Sequence, residues 1–342
     1  MKSCIALIIL FLPLFTYGEG VSSCLNDGEN NINPSSVNAH GGGVVSSKGM
    51  YYWFGEVKGK GMDGNKVQQG VSLYESSDLC NWKYKGVAYS SNQNNNVIYL
   101  ERPKVIYNKR NNEYIMWFHI DYRKGFNNES YARLGVAESK NIEGPYKFIT
   151  SYRPNKDTKP VNFQKNDFND MYFKSGYESG FDSRDFTLFK DDDGKAYVIY
   201  NSEMNNTLHV ALLDDTYTRV TNEYSRVLIN GRNEAPVIFK IDKTYFMITS
   251  GLTGWKANQA RLFESDNIFG PWIRKNNPIK GTPEDIATTF NSQSAFSIED
   301  KLGNLFIFGD RWSPHNPIES KYVVSEIKYN NGNLSMERIG ND

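Results

Sequence analysis

Hydrophobic positions along the chain fall in short alternating or apolar runs and scarcely ever at helical spacing. Five stretches share one plan: VVSSKGMYYWFGE, KVIYNKRNNEYIMWFH, TLFKDDDGKAYVIYNSE, PVIFKIDKTYFMITS and AFSIEDKLGNLFIFGD. In each, a strand-like run meets a polar turn of Gly, Asn, Asp or Lys and returns as an aromatic-rich run, the pattern of a β-hairpin. Laid over one another, the five are preceded by His40, Glu101, Asp185, Glu234 and Gln293, and their second strands reach Tyr51, Tyr114, Tyr197, Tyr245 and Phe306. Further strand-like runs follow the first, second and fourth units. Two of these carry the same Ser-x-x-x-x-Gly-Pro-aromatic echo, at Ser139 to Tyr146 and at Ser265 to Trp272.

Five copies of a multi-stranded unit predict an all-β fold, a five-bladed β-propeller with its sheets arranged radially around a channel. A β-sandwich has similar hairpins but no reason to start five successive units on a polar residue. From Leu25 onward each unit has about 64 residues, against about 40–45 in compact propeller repeats, so inserted loops are expected, the longest at Pro154 to Asp182. The fifth unit carries its own outer strands in KYVVSEIKYNNGNLSMERI. The ring is therefore expected to close by packing its ends together, with no N-terminal strand completing the last blade. No linker divides residues 25–342, which read as one domain.

Ahead of that domain, Lys2 and the apolar run from Ile5 to Phe15, followed by the small Gly18 and Gly20, read as a secretory signal over residues 1–20. The run is shorter than the roughly 20 apolar residues of a membrane-spanning helix. A secreted or periplasmic protein is expected. Val21-Ser22-Ser23-Cys24 also has the look of a lipoprotein box, although Glu19 and Gly20 stand between it and the apolar run. Cys24 is thus either a lipid attachment point or a partner for Cys80 in a disulfide that an exported setting permits. The 39 basic and 39 acidic residues cancel, which argues against bulk nucleic-acid or anionic-membrane binding. Aromatic residues make up 14% of the chain, which suits packed strands and flat sugar faces alike.

In a propeller the first strand of each blade lines the channel, so the five anchors His40, Glu101, Asp185, Glu234 and Gln293 converge on one face. Gathered carboxylates raise one another's pKa. One can stay protonated near neutral pH while another stays ionised, the division of labour that glycosidic cleavage needs.

At these residues the sequence resembles glycoside hydrolase family 43, and within it the exo-β-1,3-galactanase branch. The resemblance rests on NAHGGGVVSSKGMYYWFGE, LERPKVIYN, DSRDFTLFKDDDGKAYVIY, GRNEAPVIFK, TSGLTGWKAN, FNSQSAF and GDRW, in that order along the chain. It implies a five-bladed propeller and an inverting exo-glycosidase that releases terminal galactose from β-1,3-galactan or arabinogalactan. Glu234 then matches the general acid, Asp185 the carboxylate that orients it and tunes its pKa, and Gln293 the residue that positions the attacking water. Glu101 and Glu56 match carboxylates at the terminal galactose. Most of the wider family has a general-base Asp on the first blade, where this chain has His40-Gly41-Gly42. An amide has no useful basicity, so either a tautomeric relay through Gln293 operates or Glu101 is the base across the pocket.

Trp255 and Thr253 fall in the loop that the family places at the sugar, with Tyr131, His40 and Asn206 as further substrate-side candidates. Asp310 and Arg311 read as a structural pair or turn closing blade five, His119 as a buried structural histidine, and Asp191-Asp192-Asp193-Gly194 as a hairpin turn. No HExxH, paired CxxC, GxGxxG, Walker or G-x-S-x-G motif is present, so chemistry without metal or cofactor is expected. A monomer acting on a neutral polysaccharide is the resulting picture. Two alternatives stand beside it: another family 43 activity, α-L-arabinofuranosidase or β-xylosidase, which the missing first-blade Asp argues against, and a non-catalytic galactan-binding propeller.

Overall fold

The computed structural model describes residues 37–65, 70–91, 97–122 and 131–340. The signal expected at residues 1–20 and Cys24 lie outside the described residues. Cys80 is disulfide-bonded; its expected pairing with Cys24 falls outside them as well.

Five antiparallel sheets follow one another along the chain. Blade 1 is β1 (His40–Ser47), β2 (Met50–Glu56), β3 (Gly70–Ser76) and β4 (Lys83–Ser90). Blade 2 is β5 (Val97–Asn108), β6 (Glu113–Tyr122), β7 (Arg133–Ser139) and β8 (Lys147–Tyr152), and blade 3 is β9 (Phe186–Lys190), β10 (Ala196–Ser202), β11 (Thr207–Leu213) and β12 (Val220–Val227). Blade 4 is β13 (Asn233–Ile241), β14 (Thr244–Gly251), β15 (Arg261–Ser265) and β16 (Ile273–Arg274). Blade 5 comprises β18 (Gln293–Glu299), β19 (Leu305–Arg311), β20 (Lys321–Asn330) and β21 (Asn333–Arg338), with β17 (Ile279–Lys280) added in parallel outside β21. The first strands of blades 1, 2, 3, 4 and 5 touch in that order, and β18 touches β1. The five-bladed ring therefore closes through packing alone among the described residues, as the self-sufficient fifth unit implied.

The blades are held by their faces. The five buried apolar clusters each fill one joint: blades 1 and 5, 2 and 3, 1 and 2, 4 and 5, and 3 and 4. The aromatic second strands supply much of this. Trp53 on β2 is fully buried and meets Trp82, Phe296, Phe308 and Tyr322 edge-on at 4.6–5.7 Å. Emptying such a site costs about 3–5 kcal/mol, enough to loosen the one joint that joins the chain's two ends. The two Gly-Pro echoes sit between the third and fourth strands of blades 2 and 4, and both Gly-Pro bonds are cis.

The insertion between blades 2 and 3 folds onto their joint. It carries α1 (Met171–Ser179), whose first turn is capped by Asp170 accepting from the Tyr172 and Phe173 amides. Phe173 and Phe181 anchor it in the apolar cluster. A short α2 (Pro283–Thr288) precedes β18 and is capped by the Thr282–Asp285 box.

Candidate active site

The inner strands bend where the polar anchors stand. Register breaks, the mark of β-bulges, fall between His40 and Gly43, Glu101 and Lys104, Glu234 and Val237, and Ser294 and Phe296. A bulge re-aims side chains and is common beside active sites. Here it turns backbone into the left-handed region at Gly41 (φ 57°), Arg102 (φ 56°) and Ala235 (φ 49°). Arg102 and Ala235 hold that conformation against a cost of order 1–3 kcal/mol each. The consequence is that neighbouring residues of one strand, such as Glu101 and Arg102, both face the mouth of the channel.

There they line a cavity of about 180 Å³ together with Glu56, Lys58, Asp185, Glu234, Gly254, Trp255, Gln293 and Trp312. Arg102 is its hub. Nε and Nη2 donate to Oδ1 and Oδ2 of Asp185 at 3.0 and 2.8 Å, and Nη2 also donates to Gln293 Oε1 at 2.6 Å. Its backbone N–H donates to Glu56 Oε1 at 2.8 Å, and the other oxygen of Glu56 is paired with Lys58. Trp312 donates from Nε1 to Gln293 Oε1 at 3.1 Å. Gln293 Nε2 donates to Ser250 Oγ at 3.0 Å, and Ser250 donates on to the Glu234 carbonyl at 3.3 Å.

This arrangement splits the carboxylates electrostatically. Burial, followed by the charge of Asp185, pushes the Glu234 carboxyl up to about 8, even though Arg102 and Arg184 pull the other way. Glu101 is raised too, by burial and then by Glu56. Facing it across the β5–β6 pair, His119 is held up at about 9: burial opposes its charge, but Asp121 and Glu101 outweigh burial. Under the pocket, Lys104 donates to the Gly41 carbonyl at 2.7 Å, and burial with the Arg102 charge brings its ammonium down to about 7. The site thus offers one carboxylic acid that stays protonated at neutral pH beside an Asp clamped by a two-pronged guanidinium.

Six of the residues singled out from sequence meet in this cavity: Glu234, Asp185, Gln293, Glu101, Glu56 and Trp255. Four others do not line it. His40 is 0% exposed, stacked on Tyr322 at 5.1 Å with Nδ1 3.6 Å from Asp310 Oδ1. The bulge that frees Gly41 turns His40 inward, so its expected place at the sugar is corrected to a packing role behind it. Tyr131 takes a hydrogen bond from Arg184 and lies under that guanidinium, 4.7 Å from its ring centre. It acts on the site through Arg184, one of the charges bearing on Glu234. Asn206 donates to the Glu203 carbonyl at 2.8 Å inside the β10–β11 turn. Thr253 bridges Lys256 O and Asn258 Nδ2 at 2.5 and 2.7 Å, pinning the loop that presents Trp255.

Asp310 is buried and accepts from the Gly41 amide of blade 1 at 3.1 Å, while Arg311 donates to the Phe290 carbonyl at 3.0 Å: both make structural contacts, with those partners in place of the mutual pair or turn read from sequence. Asp191 opens the expected hairpin turn through its backbone bond with Lys195. Sequence reasoning missed Arg102, Lys58, Trp312 and Ser250. The signal for Arg102 was there: two adjacent charges, Glu101-Arg102, inside an apolar strand require a bulge if neither is to face the core.

A radial propeller whose axial pocket pairs a high-pKa carboxylic acid with fixed carboxylates has the equipment of a glycoside hydrolase. Residues 43–333 match the family model for glycosyl hydrolases family 43, and the chain belongs to that family. No curated protein matches the sequence. Among solved structures, the chain is similar to a family 43 β-1,3-galactosidase bound to galactodeoxynojirimycin, with 37% identity and a TM-score of 0.83 over 90% of this chain and 95% of that one. It is similar to an exo-β-1,3-galactanase from Clostridium thermocellum, with 31% identity and a TM-score of 0.74 over 88% of this chain and 61% of that longer one. An exo-β-1,3-galactanase from Phanerochaete chrysosporium solved with β-1,3-galactotriose shows 31% identity and a TM-score of 0.70, over 88% and 63% of the two chains. The protein is a glycoside hydrolase.

Proposed function

We propose that this hydrolase is an exported, inverting exo-glycosidase that releases terminal galactose from β-1,3-galactan or arabinogalactan side chains. The observation that carries the reading is the pairing of Glu234, held up to about 8, with the Arg102-clamped Asp185 and with Gln293 in one cavity of about 180 Å³. A cavity of that size takes a chain end and leaves the rest of the polymer outside, which fits exo attack.

In this reading Glu234 protonates the leaving glycosidic oxygen. Asp185, clamped by Arg102, raises the pKa of that acid and orients it. Water, held at Gln293, attacks the anomeric carbon from the other side, as inversion requires. Glu56 and Glu101 accept hydrogen bonds from sugar hydroxyls, and Trp255, half exposed beside Trp312, offers a face to the sugar next in line. His40-Gly41-Gly42 stands where an arabinofuranosidase or xylosidase of the family has its base, which favours the galactanase reading, as do the activities of the similar structures. Incubation with β-1,3-galactan, with products and anomeric form followed by NMR, tests it.

A further inference from the structure

Lys104 is a buried ammonium that the chemistry above does not use. It stands on β5 of blade 2 and is 4% exposed, and its stem reaches blade 1 through room that missing side chains leave. A Cβ on Gly43 would stand 2.8 Å from Lys104 Cδ, one on Gly42 would fall on the Phe54 carbonyl of β2, and one on Gly41 would meet Glu56 Oε1. The space beside each of the three glycines is therefore taken by a different group, and the group beside Gly43 comes from another blade. At the end of the stem Lys104 Nζ donates to the Gly41 carbonyl at 2.7 Å. The Gly41 N–H donates to Asp310 Oδ2 of blade 5 at 3.1 Å. Gly41 is thus gripped on its two sides by opposite charges, from the two blades that flank blade 1.

The grip fixes what stands in front of it. Glu56 on β2 is the register partner of His40, and its Oε1 fills the space over Gly41 and accepts from the Arg102 amide at 2.8 Å. A buried ammonium is costly: burial and the Arg102 charge weigh against it, while Asp310, Glu56 and Asp185 favour it. What it holds is a backbone carbonyl at the bulge. Resting on the galactosidase reading above, in which Glu56 meets the terminal sugar, we propose that Lys104 is a positioning residue for galactose binding: with Asp310 it fixes the Gly41 bulge, and the bulge sets where Glu56 meets the sugar.

Without the ammonium the Gly41 carbonyl loses its partner, and the left-handed turn at Gly41 relaxes against Glu56. The proton donor stands apart from these contacts. The charges that weigh most on Glu234 are those of Asp185, Arg102, Arg184 and Glu101. Loss of Lys104 therefore weakens sugar binding and leaves the titration of the acid in place.

The test uses full-length enzyme, β-1,3-galactobiose as substrate, and galactose as the ligand in calorimetric titration. Lys104→Met keeps an unbranched stem and removes the ammonium. It is expected to raise KM and the galactose Kd together by about tenfold, with kcat within about threefold of wild type and the alkaline limb of the kcat–pH profile unmoved. Gly43→Ala keeps the ammonium but sets a Cβ against its stem, and should weaken galactose binding in the same direction. In a Glu56→Ala background Lys104→Met should cost no further affinity, because both changes act through one contact. Thermal melting verifies each fold, and Gly43→Ala decides alone if Lys104→Met does not fold. Wild-type galactose affinity in a folded variant, a fall in kcat with KM unmoved, or full additivity with Glu56→Ala overturns the inference. A wild-type enzyme that neither binds galactose nor cleaves the disaccharide overturns the galactosidase reading itself, so the two failures are told apart.

Discussion

Arg102 on blade 2 clamps Asp185 on blade 3 with two parallel hydrogen bonds, 3.0 and 2.8 Å, across 83 residues of sequence. Neither residue is free to move without the other. The guanidinium is 7% exposed, its charge is reinforced by Asp185 and the carboxylates around it despite the burial that opposes it, and it also reaches Gln293.

Replacing Arg102 with Met leaves Asp185 as an uncompensated partly buried charge. The expected cost is about 3–5 kcal/mol in stability and at least about 100-fold in kcat. Because Arg102 normally lowers the Glu234 pKa, the alkaline limb of the kcat–pH profile should move upward in pH in the residual activity. Arg102→Lys keeps a positive charge but loses the two-pronged geometry, and should restore the position of that limb better than the rate. Stopped assays across pH, together with thermal melts, check both.

In the proposed role of acid Glu234 must carry its proton, so turnover is expected to fall as pH rises through about 8. Glu234→Gln should lose about 10²–10⁴-fold on β-1,3-galactan. Stability falls over the same pH range. A carboxyl whose folded pKa lies above its unfolded value of 4.5 contributes stability that is complete below about 4.5 and is lost as pH climbs through about 8. The variant, with no charge to bury, should therefore melt higher than wild type at pH 8 and show a smaller difference at pH 4.5. Scanning calorimetry at the two pH values decides.

Gly41 holds the first-blade bulge. A Cβ there would stand 2.4 Å from Glu56 Oε1 and 3.4 Å from Arg102 Cδ, on a backbone at φ 57°. Gly41→Ala should cost about 1–2 kcal/mol from the left-handed backbone alone and should push Glu56 off the Arg102 amide. The expected result is weakened galactose binding in calorimetric titration with a fold that still melts cooperatively. Unchanged affinity would mean that Glu56 does not contact the sugar.

Away from the pocket, Glu203 is buried against His209 Nε2 at 2.9 Å and Arg226 at 2.6 Å, and Arg226 reaches on to Asp167 and Asp170 at the foot of α1. Burial resists ionisation of Glu203, but His209 and Arg226 outweigh it and hold the carboxyl at about 2. Its contribution is present above about 4.5 and lost as pH falls through about 2. Glu203→Gln should destabilise the fold by about 3–5 kcal/mol at neutral pH with kcat of the folded enzyme within about twofold of wild type.

The fold could be read from sequence because a propeller repeats its signal: a polar anchor, a period-two run and an aromatic return, five times over. Those anchors also exposed the pocket carboxylates, since residues at one repeat position must meet at one end of the channel. What escaped was whatever depends on the bulges. Arg102 sits one residue past an anchor, and only a positive φ brings it and Glu101 to the same face. His40, an anchor by repeat position, is swung inward by the glycine after it. Trp312 and Ser250 matter through a hydrogen-bonded lock on Gln293 that no spacing announces, and Tyr131 and Thr253 act by holding Arg184 and the Trp255 loop.

The central claim is best tested by digesting β-1,3-galactan and following the first minutes by proton NMR. The account predicts galactose as the sole early product, released as the α-anomer before mutarotation. Early release of longer oligosaccharides, galactose appearing first as the β-anomer, or polymer bound with no sugar released would contradict it.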